Sequence, residues 1–477
     1  MLHDKFFIAN EWRQPATDAR FEIKNASTGE VVGTTPEASK ADIDAAVAAA
    51  RAAFDSGEWS GMAPSGRSAI MRRFAEELRT RAPKTAEAVS TQNGMPIAIS
   101  GAFEGDVAPG LLDYYADLAD EMVVQDTRPS QFGKETYVQR LQVGVVAAII
   151  PWNFPVNLSL AKLGPAMAAG CTMVIKPSPG TVLDSYVMAE AALAAGVPAG
   201  VLNWVPAERE VGAYLVEHPG IDKVAFTGST RAGRTIAARC GELLRPVTLE
   251  LGGKSAAIVL EDADLETFTQ GIPTACLLNN GQTCYLGTRI LAPRTRYSEV
   301  VDAVAGFVGD LKVGDALDPE TQIGPVASEE HRERVERYIA IGKDEARLVV
   351  GGRRPETSQG GWFVEPTVFA DVDNHATIAR EEIFGPVLSI IPYEAEDDAI
   401  AMANDSDFGL GGSVWSADND HALDVAQKVK TGSIGLNGYV ISVGSPFGGI
   451  KASGIGREFG PEAMLSYQQF KSIYAMA

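Results

Sequence analysis

The residue best suited to covalent chemistry in this sequence is Cys284, which lies in a polar, glycine-bounded turn at residues 279–287. A buried structural cysteine behaves as a small hydrophobic residue and is found among aliphatic neighbours. A nucleophilic thiol instead needs access for a substrate and nearby dipoles that favour the thiolate. The turn makes Cys284 a candidate nucleophile, but taken alone it leaves the structural and catalytic interpretations balanced.

Two other polar side chains occur in conspicuous surroundings. Glu250 interrupts an apolar, strand-like stretch that ends in two glycines, although carboxylates are rarely buried unless something requires them. It either forms an ion pair with Lys254 or acts as a general base whose pKa is raised by apolar neighbours. Asn153 lies in a turn framed by two prolines, where it either caps the next helix or holds its side-chain amide for an oxyanion.

Gly228 and Gly233, with Ser229 between them, separate a predicted strand from a predicted helix. Free backbone N–H groups at a helix N-terminus are suited to bind phosphate groups. The spacing is G-x-x-x-x-G, so this turn is either a nucleotide-phosphate site or an ordinary strand-to-helix turn.

The elements that must position these residues alternate between strands and helices. After residue 144, short apolar runs typical of buried strands alternate with helical segments, which predicts a parallel, doubly wound α/β sheet. Ligands bind at the carboxyl ends of the strands of such sheets, where Asn153, Lys176 and Ser229 fall. A second set of strands and helices begins near Lys254, carries the Cys284 turn and predicts a separate α/β lobe.

Residues 1–120 are predicted to be mainly helical, with a capping box formed by Ser39 and Asp42 at the start of one helix. Between Met122 and Val143, two strand-like runs flank a turn, which predicts a two-stranded excursion. The tail beyond Gly460 also has strand-like alternation.

Composition narrows the class of protein. With 477 residues the chain is long enough for about three domains. Its 62 acidic and 41 basic residues give a net charge of −21, which would repel nucleic acid and anionic membranes, so neither is expected as a partner. Residues 1–12 lack a signal-peptide pattern and no run approaches the ~18 apolar residues of a membrane span, which predicts a cytoplasmic protein. The four cysteines and five histidines have neither metal-site nor disulfide spacing, so no metal is expected.

Six motifs occur in an order and spacing that resembles the NAD(P)-dependent aldehyde dehydrogenase superfamily, over essentially the whole chain. They are residues 151–155 (PWNFP), 226–229 (FTGS), 249–254 (LELGGK), 281–284 (GQTC), 381–386 (EEIFGP) and 446–451 (PFGGIK). The resemblance implies an α/β protein with the aldehyde dehydrogenase fold: a Rossmann-like cofactor domain, an α/β catalytic domain and a β-strand oligomerisation arm.

The resemblance also implies domain ranges. These are 1–121 with 144–250 for the NAD(P)-binding domain, 251–459 for the catalytic domain, and 122–143 with 460–477 for the arm. Arms of this kind pair between subunits, so a homo-oligomer is expected, either a dimer or a tetramer.

The resemblance implies a role for each candidate catalytic residue. Cys284 would attack the aldehyde carbon, while the Asn153 amide and the backbone N–H of Cys284 would hold the oxyanion. After hydride transfer to the nicotinamide, Glu250 would activate water to hydrolyse the thioester and release a carboxylic acid. Lys162 would assist proton relay. Relatives that acylate coenzyme A lack the glutamate, so hydrolysis is favoured here.

NAD is the cofactor that the resemblance implies, with NADP also expected to be accepted. Many NAD-preferring members have a glutamate three residues after the cofactor lysine, but Pro179 takes that place here, so a charge that would repel a 2′-phosphate is missing. The implied cofactor-binding residues are Ile150, Trp152, Lys176, Ser178, Pro179, Gly228, Ser229, Gly233, Leu251, Gly252, Glu382 and Phe384.

The implied substrate pocket is apolar, with Tyr285 at its rim. Its residues are Phe154, Leu158, Thr283, Tyr285, Ile441 and Phe447. No arginine occurs among them to clamp a carboxylate, which favours an apolar aldehyde over a semialdehyde acid. The alternatives are a semialdehyde dehydrogenase, a non-catalytic nucleotide-binding protein, and a cysteine esterase or hydrolase with a histidine base. All five histidines lie outside the six motifs: His3, His218, His331, His375 and His421.

Overall fold

The computed structural model describes residues 4–356 and 360–476. His3 and the outermost residues of the predicted domain ranges, 1–3 and 477, lie outside them. The strands are β1 (Phe6–Ile8), β2 (Glu11–Arg13), β3 (Arg20–Lys24), β4 (Val31–Pro36), β5 (Gln125–Pro129), β6 (Glu135–Gln142), β7 (Val145–Ile149), β8 (Thr172–Lys176), β9 (Leu202–Trp204), β10 (Lys223–Thr227), β11 (Val247–Glu250), β12 (Ala256–Val259), β13 (Arg289–Pro293), β14 (Arg347–Val350), β15 (Thr367–Ala370), β16 (Val387–Tyr393), β17 (Gly412–Trp415), β18 (Gly435–Leu436), β19 (Gly454–Ile455) and β20 (Gln468–Ala475).

The helices are α1 (Lys40–Asp55), α2 (Pro64–Arg79), α3 (Ala82–Asn93), α4 (Ile97–Ser100), α5 (Gly110–Asp120), α6 (Pro155–Ala169), α7 (Leu183–Ala194), α8 (Arg209–Glu217), α9 (Thr230–Glu242), α10 (Leu265–Ala275), α11 (Tyr297–Gly309), α12 (Glu329–Glu345), α13 (Thr377–Arg380), α14 (Glu396–Asn404), α15 (Asn419–Ala426) and α16 (Gly460–Leu465). A π-helix covers Gly101–Val107, and 3-10 helices cover Arg294–Arg296 and Lys451–Ser453.

Two large sheets organise the chain, as the alternation of strands and helices predicted. The first has the order β19-β11-β10-β7-β8-β9-β1-β2, and its five strands from β11 to β9 are parallel. The second has the order β14-β15-β16-β13-β12-β17-β18, with β14 as its antiparallel edge. A third, antiparallel sheet has the order β20-β6-β5, so the tail strand pairs with the excursion between Met122 and Val143.

The register of the first sheet brings the strand ends of the candidate site into one row. Ile149 lies opposite both Lys176 and Phe226, and Thr227 lies opposite Glu250. Because these strands are parallel, their carboxyl ends meet at the same edge of the sheet. β7 and β8 are buried along their whole length, as expected for central parallel strands covered on both faces.

The start of the chain matches its prediction only in part. The capping box is present, with the backbone N–H of Ser39 donating to Asp42 at 2.8 Å, and α1, α2 and α5 form where helices were predicted. The prediction missed β1 to β4, because strands of three to six residues owe their pairing to tertiary contacts more than to local propensity. Much later in the chain, the prediction also missed the 17-residue α12, whose charged sequence buries few apolar side chains.

β19 falls inside the range predicted for the catalytic domain, yet it pairs with β11 of the first sheet. The domain boundaries remain predictions. Within the described residues, no helix combines the length and apolar character needed to cross a membrane.

Candidate active site

Cys284 lies in the connection between α10 and β13. Asn279 and Asn280 have positive φ angles of 50° and 60°, and Gly281 follows at 78°, so the chain turns sharply just before the cysteine. Asparagine tolerates this left-handed region better than other non-glycine residues. All four cysteines are free thiols, and Cys284 is only partly buried. The other three are buried: Cys171, Cys240 and Cys276.

The surroundings of Cys284 keep its thiol protonated. Burial raises the pKa of the thiol, and the nearby carboxylates of Glu382 and Glu250 raise it further. A base or a positive charge must therefore assist formation of the thiolate. A small cavity beside the thiol is lined by other residues of the recognised motifs, among them Lys254, Thr283 and Phe384.

Glu250 ends β11 with its side chain buried. Among the described residues, neither of its carboxylate oxygens has a hydrogen-bond partner, so the predicted alternative of an ion pair with Lys254 is wrong. Lys254 lies near Glu382 instead. Burial raises the pKa of Glu250 well above its ordinary value; the Glu458 carboxylate adds to this and the Lys162 ammonium opposes it. An unpartnered carboxylate with a raised pKa is a stronger base than an ordinary glutamate and is suited to general base catalysis.

Lys162 pairs with a second buried carboxylate near Glu250, that of Glu458. Its Nζ donates to Glu458 Oε1 and to Thr227 Oγ1, each at 2.6 Å, and Thr227 lies opposite Glu250 in the sheet. A Cβ at Gly448 would lie 2.5 Å from Glu250 Oε1, so the glycine allows the chain to cover the carboxylate closely. Lys162 thus forms a buried ion pair with Glu458 and lies close enough to Glu250 to act electrostatically on its carboxylate.

Asn153 directs its side chain at the cysteine turn. Its Nδ2 donates to the carbonyl oxygen of Gln282 at 2.9 Å, two residues before Cys284. Helix α6 takes Phe154 as its N-cap without a side-chain cap, so the predicted alternative that Asn153 caps this helix is wrong. The buried amide is placed to donate a hydrogen bond near the thiol.

The N-terminus of α9 has the features of a phosphate site. Ser229 is its N-cap, and its Oγ accepts from the backbone N–H of Ala232 at 3.3 Å. The first N–H groups of this 13-residue helix lack partners within the helix, and the dipole of the helix favours an anion there. The turn fits the pyrophosphate of a dinucleotide.

Three glycines of the predicted cofactor set are required by close approaches. At each of them an added Cβ would come within 2.4 to 2.6 Å of a neighbouring side chain. The pairs are Gly228 with Phe226, Gly233 with Leu251, and Gly252 with Glu382. Leu251 and Glu382, both predicted cofactor contacts, can therefore lie against bare backbone.

Lys176, at the end of β8, is buried and donates from Nζ to two backbone carbonyls, at 2.6 and 3.1 Å. Burial lowers the pKa of Lys176 to about 8, against an opposing effect of Glu208. The backbone N–H of Ile150 donates to the Lys176 carbonyl at 2.9 Å. Ser178 and Pro179 follow in partly exposed positions, where a ribose held by the lysine could meet them.

Glu382 and Phe384 lie in the connection between α13 and β16, where they line the same small cavity as Cys284. The backbone N–H of Gly253 donates to Glu382 Oε1 at 3.0 Å, and burial raises the pKa of Glu382 to about 7. Phe384 has a φ angle of 64°, which is a strained conformation for an aromatic residue. Its ring contacts Trp152 edge to face at 5.3 Å. The predicted nicotinamide-side residues are thus assembled beside Cys284.

Two residues of α12 support this group and were missed from the sequence. His331 donates from Nε2 to the Phe384 carbonyl at 2.6 Å, and burial lowers its pKa to about 4, so the imidazole is neutral. Arg334 donates to the Glu382 carbonyl at 2.6 Å. The other described histidines lie outside this group, and each is next to a carboxylate. They are His218, His375 and His421. No described histidine is placed as the base that a cysteine hydrolase needs.

The predicted apolar substrate residues belong to the main hydrophobic core or, like Cys284, pack against it: Phe154, Leu158, Tyr285, Ile441 and Phe447. Tyr285 is only 8% exposed and stacks on Tyr439 at 4.2 Å between ring centroids, so it forms a wall, and its predicted place at the rim is wrong. Thr283 donates its hydroxyl to the Leu278 carbonyl at 2.9 Å.

Glu458 and Tyr439 were also missed from the sequence. Each lies only a few residues from the motif at 446–451, and no local pattern distinguishes it from a surface polar residue or a core aromatic one. In the described part of the chain, no group of three or more His, Cys, Asp or Glu side chains is arranged to hold a metal ion.

Comparison with known proteins agrees with this arrangement. Residues 12–473 match the aldehyde dehydrogenase family. The chain is 58% identical to geranial dehydrogenase from Castellaniella defragrans over 475 residues, covering 99% of each chain. It is 42% identical to the putative aldehyde dehydrogenase DhaS of Bacillus subtilis, covering 98% and 95%.

Solved structures agree as well. Mycobacterium tuberculosis aldehyde dehydrogenase in complex with NAD+ superposes with a TM-score of 0.97 at 47% identity, covering 99% of this chain and 98% of that one. A mutant of aldehyde dehydrogenase C from Pseudomonas syringae, in complex with NAD+ and octanal, has a TM-score of 0.96 at 38% identity, covering 100% and 97%. The chain belongs to the aldehyde dehydrogenase family and is an NAD-dependent oxidoreductase that acts on aldehydes.

Proposed function

We propose that this dehydrogenase oxidises an apolar aldehyde to its carboxylic acid through a covalent bond to Cys284. The observation that carries the proposal is the position of a partly buried thiol near the stacked rings of Tyr285 and Tyr439, close to a buried carboxylate that has no partner among the described residues. The apolar lining suits a hydrocarbon chain, since its burial contributes roughly 0.8 kcal/mol per methylene. Geranial dehydrogenase and the octanal complex, whose names specify apolar aldehydes, support this substrate class.

In the first half-reaction, the Cys284 thiol gives its proton to solvent water, and the thiolate Sγ bonds to the carbonyl carbon of the aldehyde. Negative charge develops on the carbonyl oxygen, where the Asn153 amide and the backbone N–H of Cys284 would donate. NAD supplies the hydride acceptor. The α9 N-terminus with Ser229 would hold its pyrophosphate, and Lys176 and Glu382 its two riboses.

In the second half-reaction, Glu250 takes a proton from water, which attacks the thioester and releases the acid. The raised pKa of Glu250 matches this task, because it makes the carboxylate a stronger base than an ordinary glutamate. Lys162 and Glu458 would carry the proton away through their buried contact. The thiol is then regenerated.

The substrate class is tested by comparing octanal with the same aldehyde bearing a terminal carboxylate, following NADH absorbance. We expect octanal to have the higher kcat/KM, by at least about tenfold, because a charge buried without a partner is costly. Ester hydrolysis measured without NAD tests the hydrolase alternative. Preference for the carboxylated aldehyde would contradict the proposal and favour a semialdehyde dehydrogenase.

Pro179 leads us to propose that NADP also serves as a cofactor. Pro179→Glu should lower kcat/KM for NADP at least about tenfold, since a like-charge contact costs several kcal/mol, and should leave NAD unchanged or slightly better. The measurement compares both cofactors at a fixed aldehyde concentration.

Glu208→Gln is the matched control for cofactor choice, because Glu208 is the carboxylate that acts electrostatically on Lys176. If the wild-type enzyme already rejects NADP by a thousandfold or more and Glu208→Gln relieves that rejection, discrimination belongs to Glu208 and the role assigned to Pro179 is wrong.

We further propose that the protein is a cytoplasmic homo-oligomer assembled through the β20-β6-β5 sheet. Support comes from large apolar side chains of this sheet that face outward, including Leu141, Phe470, Ile473 and Tyr474, and from the four free thiols. Phe470→Glu with Tyr474→Glu should shift the sedimentation coefficient towards that of a smaller species. An unchanged oligomer would place the interface elsewhere.

A further inference from the structure

Three segments of the chain meet beneath Asn153, and side-chain amides make the contacts between them. The end of α3 contributes Asn93, whose Nδ2 donates to the carbonyls of Trp152 and Asn153, each at 3.1 Å. The loop after α10 contributes Asn279, whose Nδ2 donates to the same Asn153 carbonyl at 2.9 Å. The backbone of Asn153 is therefore held by amides from two separate segments of the chain.

The side-chain nitrogen of Asn153 makes one hydrogen bond within the protein and has a second N–H left over. A carboxamide carries two N–H donors on one planar nitrogen, and one of those on Asn153 donates to Gln282. The second N–H points in a direction fixed by the first. This second donor is the one that an oxyanion on the substrate could use, so its aim depends on the position of the Asn153 backbone.

The supporting amides are themselves fixed. Asn93 Oδ1 accepts from the backbone N–H of Met95 at 2.8 Å, and Gln282 Oε1 accepts from that of Ala327 at 2.9 Å. Asn93, Asn279 and Gln282 are fully buried. A buried polar network whose members have their partners holds a unique geometry, because any displacement leaves a polar group unpaired.

We propose that Asn93 is a positioning residue for the reaction: by holding the carbonyl of Asn153, it aims the free Asn153 N–H at the oxyanion. The proposal rests on the oxyanion role of Asn153 given above. Misplacing a catalytic donor costs rate without requiring any loss of contact with the cofactor.

Asn93→Asp is the test variant, because it keeps the size of the side chain and the acceptor for Met95 while removing the donor to the two carbonyls. Asn203→Asp is the matched control. Asn203 is equally buried, donates to two carbonyls at 2.8 and 3.1 Å, and accepts from the backbone N–H of Ala9 at 3.0 Å, but it lies on β9, away from Cys284.

The readouts are the rate of the pre-steady-state NADH burst, the Kd for NAD and the melting temperature. Both variants should lose stability. We expect Asn93→Asp alone to slow the burst, by about tenfold or more, since removing one oxyanion donor outright costs roughly a hundredfold or more. The Kd for NAD should stay within about threefold, because Trp152 is the one predicted cofactor residue that Asn93 contacts, and it does so only through its backbone carbonyl.

A double-mutant cycle with Asn153→Ala separates positioning from general damage. If Asn93 acts through Asn153, Asn93→Asp should slow the burst by less than about twofold in the Asn153→Ala background, because the donor it aims is gone. Equal slowing in both backgrounds, or an unchanged burst in Asn93→Asp, would overturn the proposal. Asn93→Ser replaces the aspartate variant if that protein does not fold. Retention of aldehyde oxidation by Cys284→Ala would instead refute the covalent mechanism.

Discussion

Cys284→Ala is expected to abolish aldehyde oxidation while NAD binding persists. The loss of a covalent nucleophile should lower kcat by at least about a thousandfold, since no other group can form the thioester. The α9 N-terminus, Lys176 and Glu382 are untouched by the change, so the Kd for NAD should alter little. Steady-state NADH production and NAD binding by fluorescence are the two measurements.

Cys276→Ala is the matched control, because this thiol lies only eight positions earlier, is buried at the end of α10, and has its pKa raised to about 12 by burial. It should change stability more than rate. Retention of more than about a hundredth of the activity by Cys284→Ala would remove this residue from the mechanism.

Glu250→Gln should separate the two half-reactions. Hydride transfer precedes the step in which this carboxylate accepts a proton, so a stoichiometric burst of NADH should survive. Turnover should fall by about a hundredfold or more, the usual contribution of a general base. Rapid mixing followed by steady-state measurement on one sample gives both rates.

The pH dependence of kcat gives a second test of Glu250 as the general base. Because the pKa of Glu250 is raised, the carboxylate stays protonated, and inactive as a base, to a higher pH than an ordinary glutamate. Wild-type kcat should therefore rise with pH above the usual carboxyl range, and Glu250→Gln should lose this rise. Asp184→Asn is the control, since burial raises the pKa of Asp184 to about 7 at a position outside the site. Unimpaired turnover in Glu250→Gln would assign deacylation to another base.

The row of strand ends could be predicted from the sequence because a parallel sheet converts successive strand-to-helix turns into one edge. Asn153, Ser229 and Glu250 each follow or end an apolar run, and the register then aligns them. The glycines of the motifs were recognisable for a related reason. At Gly448 and Gly252 an added side chain would collide with a nearby carboxylate, so glycine is required and is recognisable in the sequence.

The partners of those residues could not be predicted because they arrive from distant segments without a local pattern. Glu458 lies 296 positions from Lys162, and its carboxylate finds the ammonium only once the chain has folded back over β11. His331 lies in a charged helix whose sequence indicates exposure, yet it is partly buried and donates a hydrogen bond to the Phe384 carbonyl. The α/β pattern specifies where strands end, whereas the contacts across loops depend on tertiary packing.

Residues 447–458 form a closed excursion that matters for any shortened form of the protein. Phe447 and Glu458 exchange two backbone hydrogen bonds, at 2.7 and 2.8 Å, and between them Gly448 covers Glu250 while β19 completes the edge beside β11. A chain from which this segment alone is deleted, with β20 left in place, keeps the dinucleotide cradle but lacks the cover of its general base and the anion that pairs with Lys162. Such an internal deletion would therefore register as stalled thioester release, a burst of NADH without turnover, before the affinity for NAD declines.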